Sequence, residues 1–297
     1  MLRREAMTAV GDAGDAHVPL VWQFGSDLLQ LGPVPCFMGI LNVTPDSFSD
    51  GGRFNQVDTA VSRARQLEAE GAGIIDVGGE STRPDSQPVL VDEELRRVIP
   101  VIEALRSEIQ IPISIDTTKA EVARRAIAAG AKIVNDISGL TFDSDMPRVC
   151  AESGAGVIAM HIQGTPRTMQ QNPHYSDVVG EVRDFLAQRI EELQLAGIRR
   201  EAIIIDPGIG FGKTAQHNLD LLSNIPRLRE LGRPVLIGHS RKRFLAKILG
   251  RPIEEHSLGT VGVSLAAINL GADILRLHEI TPTRDCWLAW QAVTRGS

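Results

Sequence analysis

Asn42, Asp76, Asp116, Asn135, Asp136, His161, Asp206, Ser240, Arg276 and His278 each follow, within a few positions, a short run of aliphatic residues rich in Ile and Val. Asp116, Asp136, Asp206 and the Asn135 amide, at the ends of three such runs, admit two chemistries. One is a cage of hard oxygen ligands for a divalent cation. The other is recognition of a flat, nitrogen-rich heterocycle, whose amidine edge pairs with a carboxylate as a guanidinium does. Asp136 has a third reading, as a cap for the loop that follows it. Lys242, Arg276 and His278 form a cationic set suited to a departing phosphate or diphosphate, with Arg276 and His278 two apart on one alternating strand. Ser240 sits in Gly238-His-Ser-Arg-Lys242, which opens like a nucleophile elbow but has Lys where the last glycine belongs. It reads as a hydrogen-bond donor. No HxH or HExxH pair occurs among the seven histidines, which argues against a zinc centre. The run Asp206-Pro-Gly-Ile-Gly-Phe-Gly-Lys213 lacks the G-x-G-x-x-G spacing of a dinucleotide loop, and its glycines read as backbone lying flat beside a ligand of Asp206.

What must position these residues is visible in the runs. Eight occur, at residues 37–41, 74–75, 113–115, 133–134, 157–160, 203–205, 235–237 and 274–275, and helix-length stretches separate them. Continuous apolar runs suit strands buried on both faces, and their alternation with helices implies a parallel sheet. Eight units are the number that closes an α/β (β/α)8 TIM barrel, whose C-terminal strand ends build the active site. Residues 57–70, 93–107, 120–128, 177–195, 218–230 and 256–270 have helical character, with Asp177 and Thr117-Thr118 as N-caps. Residues 21–31 read as a short β-hairpin around Gly25-Ser26 that plugs the N-terminal mouth. Residues 1–17 read as a disordered lead and residues 18–297 as one domain. Two strand exits, residues 42–55 and 78–88, are long and rich in Gly, Pro, Ser and Thr, as lids over an active site are. Phe48 in the first has no strand or helix pattern to serve, which suits a ligand contact.

Composition narrows the class. A formal charge of −6 without a basic stripe argues against nucleic acid. No apolar run reaches the ~18 residues of a membrane span. Three widely spaced cysteines indicate a reducing, cytoplasmic setting rather than a disulfide framework.

Taken together, MGILNVTPDSFSDGGRF, DVGGESTRPDSQPV, SIDTTKAEVA, IVNDISG, MHIQGTPRTMQ, IIDPGIGFGK, GHSRKRFL and LRLHEI resemble, in order and over almost the whole chain, the dihydropteroate synthases of folate biosynthesis. The resemblance implies condensation of 4-aminobenzoate with (7,8-dihydropterin-6-yl)methyl diphosphate, giving 7,8-dihydropteroate and diphosphate, in a family that sulfonamides target. It implies that Asp116, Asn135, Asp206 and Lys242 hold the pterin, and that Arg276 stacks on it. Arg276, His278 and Asn42 would meet the diphosphate, with Asn42 also a ligand to Mg2+. Phe48, Thr82, Arg83, Pro84 and Ser240 would shape the aminobenzoate pocket. Asp116, Lys242, Arg276 and His278 would carry the chemistry, and the assembly would be a homodimer. Two departures stand out: Asp85-Ser86 replaces a small Gly-Ala pair, and Glu279 stands where Asp is usual. A pterin-binding methyltransferase would share the acid and amide set but lack the Ser-Arg-Lys segment and the two long loops. A non-catalytic paralogue would not need Asn42, Lys242, Arg276 and His278 intact.

Overall fold

Side chains alternate across a strand, so each run has one set of positions for the helices and one for the barrel interior. The computed structural model describes residues 19–44, 53–82, 86–250 and 257–295. A hairpin, β1 (Leu20–Phe24) and β2 (Asp27–Leu31), precedes eight parallel strands: β3 (Cys36–Asn42), β4 (Ile74–Gly78), β5 (Ile113–Asp116), β6 (Ile133–Asp136), β7 (Gly156–Met160), β8 (Ile203–Asp206), β9 (Leu236–Ile237) and β10 (Ile274–Leu277). Neighbours in space are neighbours in sequence, β10 pairs with β3, and a parallel bridge between Ile205 and Val235 joins β8 to the β9 segment. The expected (β/α)8 barrel is therefore present.

The outward positions, among them Ile75, Val77, Ile115, Val134, Val157, Ile205 and Leu275, are fully buried beneath the helices. The inward positions Met38, Ile74, Ile133, Ile158, Ile204, Leu236 and Ile274 form a separate apolar layer low in the barrel. Trp22, Phe24 and Leu31 of the hairpin close that layer from below. The indole Nε1 of Trp22 donates to the Ala202 carbonyl at 2.8 Å. Gly156 faces the indole directly: a Cβ there would come within 2.9 Å of Trp22 Cζ2. The plug read from residues 21–31 is thus a packed element.

Helices α1 (Arg53–Glu70), α2 (Val91–Glu108), α3 (Ala120–Ala129), α4 (Met146–Ser153) and α5 (Val178–Leu195) cover the first half of the ring. Asp177 caps α5, accepting from the Gly180 N–H at 3.1 Å. Thr117-Thr118 do not cap α3. Lys119 holds the N-cap position without a side-chain bond, and the Ala120 N–H is satisfied by Asp143 Oδ2 at 2.8 Å. The single helix expected over residues 218–230 is two, α6 (Ala215–Ser223) and α7 (Ile225–Arg229), because Pro226 starts a new first turn. Helices α8 (Phe244–Leu249), α9 (Ser257–Asn269) and α10 (Thr281–Arg295) complete the layer. No described helix is long and apolar enough to cross a membrane.

Candidate active site

The alternation that buries the lower layer delivers the polar residues to the same interior. Two positions beyond inward Ile74 stands Asp76, and likewise Asn135 follows Ile133, Asp206 follows Ile204 and Arg276 follows Ile274. Asp116 follows buried Ser114, Asn42 lies four positions beyond Met38, and Ser240 four beyond Leu236. All stand at the C-terminal end of the ring. Asp136 is out of phase with Ile133. Its Oδ1 accepts from both N and Oγ of Ser138 at 2.7 Å, as a loop cap does, and Arg189 is the cation it feels.

Arg276 is the hub. Its Nε donates to Asp76 Oδ2 and its Nη2 to Asp116 Oδ2, both at 2.6 Å. Asn135 Nδ2 donates to the same Asp76 oxygen at 2.9 Å. The other Asp76 oxygen is buried without a partner among the described residues. Asp76 stands among the polar strand ends in the sequence without a role of its own, and its phase with Ile74 carried the signal for one. A second missed residue is Lys213, the last of the glycine-rich run. It is buried, donates to the Phe211 carbonyl at 2.9 Å and lies 3.0 Å from His161 Nδ1. The glycines of that run serve the chain more than a ligand. Gly208 has φ +70°, and a Cβ would fall 1.9 Å from the His161 carbonyl oxygen. Its N–H donates to Asp206 Oδ1 at 2.7 Å.

Arg276 and His278 have different partners in the ligand-free chain. The guanidinium is held by the two acids, whereas His278 Nδ1 lies 3.0 Å from Ser240 Oγ. Lys242 is half-buried, with Nζ 3.9 Å from the centre of the Phe211 ring. Gly78 leaves space where a Cβ would be 3.7 Å from both Asn42 Oδ1 and Asp116 Oδ2, so amide and acid flank one gap. Thr82 is half-buried on the second loop. Phe48, Arg83 and Pro84, like Asp85 and residues 1–17, lie outside the described residues. Of the two departures, Ser86 Oγ donates to the Ser81 carbonyl at 2.5 Å and Glu279 Oε1 accepts from Arg241 Nη2 at 2.8 Å.

Burial dominates the electrostatics. It pushes the Asp116 carboxyl up to about 7 against the pull of Arg276, and the Asp206 carboxyl up to about 6 against the Gly208 N–H and Lys242. The same burial, reinforced by Arg276, brings Lys242 down to about 8, and burial brings Lys213 down to about 7. Among the described residues no three His, Cys, Asp or Glu side chains are grouped to hold a metal. The oxygen cage considered from sequence is therefore not built from these acids, and the heterocycle reading gains.

A barrel with this charged ring at its mouth belongs to a definite class. Residues 38–278 match the family of pterin binding enzymes, and the chain belongs to that family. Among curated relatives it is 51% identical over 257 residues to dihydropteroate synthase of Synechocystis, covering 86% of this chain and 89% of the relative. The dihydropteroate synthase of Xanthomonas albilineans with 4-aminobenzoic acid superposes with a TM-score of 0.86 at 45% identity, over 93% of this chain and 98% of the other. The same enzyme in complex with 7,8-dihydropteroate gives a TM-score of 0.80 at 45% identity, over 89% and 95% of the two chains.

Proposed function

We propose that this chain is a transferase that condenses 4-aminobenzoate with (7,8-dihydropterin-6-yl)methyl diphosphate. The observation that carries the reading is the convergence of Asp76, Asp116, Asn135 and Asp206 with Arg276 at one barrel mouth, in a member of the pterin binding family. Asp206 takes the amidine edge of the pterin, with Asn135 and Lys242 beside it. Asp116 faces the methylene, where its charge stabilises the cation that forms as the carbon–oxygen bond breaks and the electron pair leaves with diphosphate. Arg276, released from its two acids, covers the ring, and with His278 and Asn42 meets the departing group. The aminobenzoate nitrogen then forms the new carbon–nitrogen bond and loses a proton to the departed diphosphate or to water. A weak amine needs no strong base against a cation, so binding, charge and water exclusion suffice. Phe48, Thr82, Arg83, Pro84 and Ser240 shape its pocket.

The donor set fits Mg2+ in one manner only. Asn42 offers a neutral amide oxygen, so the ion would be held by that oxygen, by diphosphate oxygens and by water, as Mg2+ prefers. When bound, it neutralises the leaving group. One pterin-binding domain over residues 18–297 and a cytoplasmic homodimer complete the reading. Three cysteines far apart in the sequence and free of CxxC spacing support a reducing compartment. The test is diphosphate release by the purified chain. It should require both substrates and fall on chelation of Mg2+. Diphosphate release as fast without aminobenzoate as with it, or none with both substrates and Mg2+ present, contradicts the assignment.

A further inference from the structure

The root of the second long loop is tied to the barrel by an ion cluster that the chemistry above leaves unused. Lys119 Nζ donates to Glu94 Oε2 at 2.5 Å and also to Glu80 Oε2. Glu80 stands in the loop, two residues before Thr82. Its other oxygen accepts from the Val89 N–H at 3.2 Å, so one side chain joins the two ends of the loop. The stem has no slack. A Cβ on Gly79 would lie 2.6 Å from Val98 Cγ1 and 3.0 Å from Glu94 Cγ, and Arg97 Nη1 donates to the Gly79 carbonyl at 2.9 Å.

Glu94 is wholly buried on α2, and its Oε1 has no partner among the described residues. Burial holds its carboxyl above the usual carboxylate range although Lys119 opposes this. An acid so placed is a poor source of stability; an apolar pair of equal volume would do as well or better. What it supplies is geometry. Lys119 follows Asp116 by three residues, so the cluster joins α2, the exit of β5 and the second loop at one point.

We infer that Lys119, held by Glu94, is a positioning residue that sets Glu80 and, through it, Thr82 relative to Asp116. The inference rests on the site being the one that joins aminobenzoate to the pterin. None of the three residues touches a reacting atom. The cluster acts on the amine-bearing substrate, whose pocket the loop carries, and not on the pterin, which the strand ends hold.

Two variants test this. Glu80→Gln keeps an acceptor for Val89 and removes the charge paired with Lys119. The double variant Lys119→Met, Glu94→Leu replaces the buried pair with apolar groups and leaves only the half-buried Glu80 without its cation. In Glu80→Gln the KM for 4-aminobenzoate should rise about tenfold, as for loss of a charge-assisted contact. The Kd for the pterin diphosphate, measured by calorimetry without aminobenzoate, should stay within about twofold. The double variant should show the same split without a lower Tm. An unchanged aminobenzoate KM in both variants overturns the inference, as does a parallel loss of pterin affinity, which marks a general structural role. If the unmodified enzyme releases no diphosphate with both substrates, the functional reading fails first and takes this one with it.

Discussion

At the scale of single residues, phase on the strand separates two carboxylates that look alike in sequence. Asp206 points into the barrel beside Lys242 and Arg276, and only its Oδ1 is used, by the Gly208 N–H. Asp136 points away, and its Oδ1 is taken within its own loop by Ser138. Asp206→Asn should therefore weaken pterin diphosphate binding by one to two orders of magnitude, about 1.5–3 kcal/mol for a charge-assisted contact. Asp136→Asn should leave it within about twofold, since the amide oxygen can still accept from Ser138. Calorimetric titration of the two variants decides it, and equal losses would show that the wrong carboxylate has been assigned to the pterin.

Among the elements, the hairpin is the clearest separation of stability from function. Trp22 is fully buried, bonded to Ala202 and packed on the low apolar layer, at the end of the barrel opposite Asp206. Trp22→Ala should cost about 3–5 kcal/mol, as removal of a large buried aromatic does. The folded protein should keep its affinity for the pterin diphosphate. Urea unfolding gives the first quantity and titration below the transition the second. A large loss of affinity would mean that the plug sets the upper site as well. The two long loops are a different kind of element. Their composition was legible, but Glu80 joining Val89 and Lys119 depends on residues far apart in the chain.

Over the whole molecule, the site opposes the stability of the protein that carries it. Burial raises Asp116 to about 7 and Asp136, Asp206 and Asp273 to about 6, from an unfolded value near 3.8. Between those limits the native state binds more protons than the unfolded chain, so stability from these groups is complete at low pH and declines as pH rises toward 7. Lys213 and Lys242, lowered to about 7 and 8 from 10.5, act in the opposite direction, and their contribution grows as pH rises above 7. The ligand-free site should therefore contribute least near neutrality. Melting curves from pH 3.5 to pH 8 should show Asp206→Asn more stable than the unmodified protein at pH 7.5, with the difference shrinking as pH falls below about 6 and vanishing only below the unfolded value of 3.8. A variant less stable at pH 7.5 would mean that the Asp206 carboxylate is stabilised in place, contrary to this account. Loss of binding with gain of stability is the pattern expected of a site kept for its ligand.

Much of this was determined along the chain. Runs such as residues 203–205, buried on both faces, ending in Asp206 and separated by helix-length stretches, specify parallel strands and place polar ends at one mouth, because strand and helix periods are local properties. The hairpin at residues 21–31 and the Asp177 cap were likewise local. The phase argument that selects Asp76 was also present in the sequence, in Ile74 two positions before it, but becomes decisive only when Asp76 is seen to share Arg276 with Asp116 across the ring. Pairings of that kind join residues about 160 and 200 positions apart, and no local period encodes which acid a guanidinium will choose. The Lys119 cluster and the pairing of His278 with Ser240 belong to the same category. They follow from which side chains the closed barrel brings within reach and from how burial weights their charges, and those are properties of the tertiary structure alone.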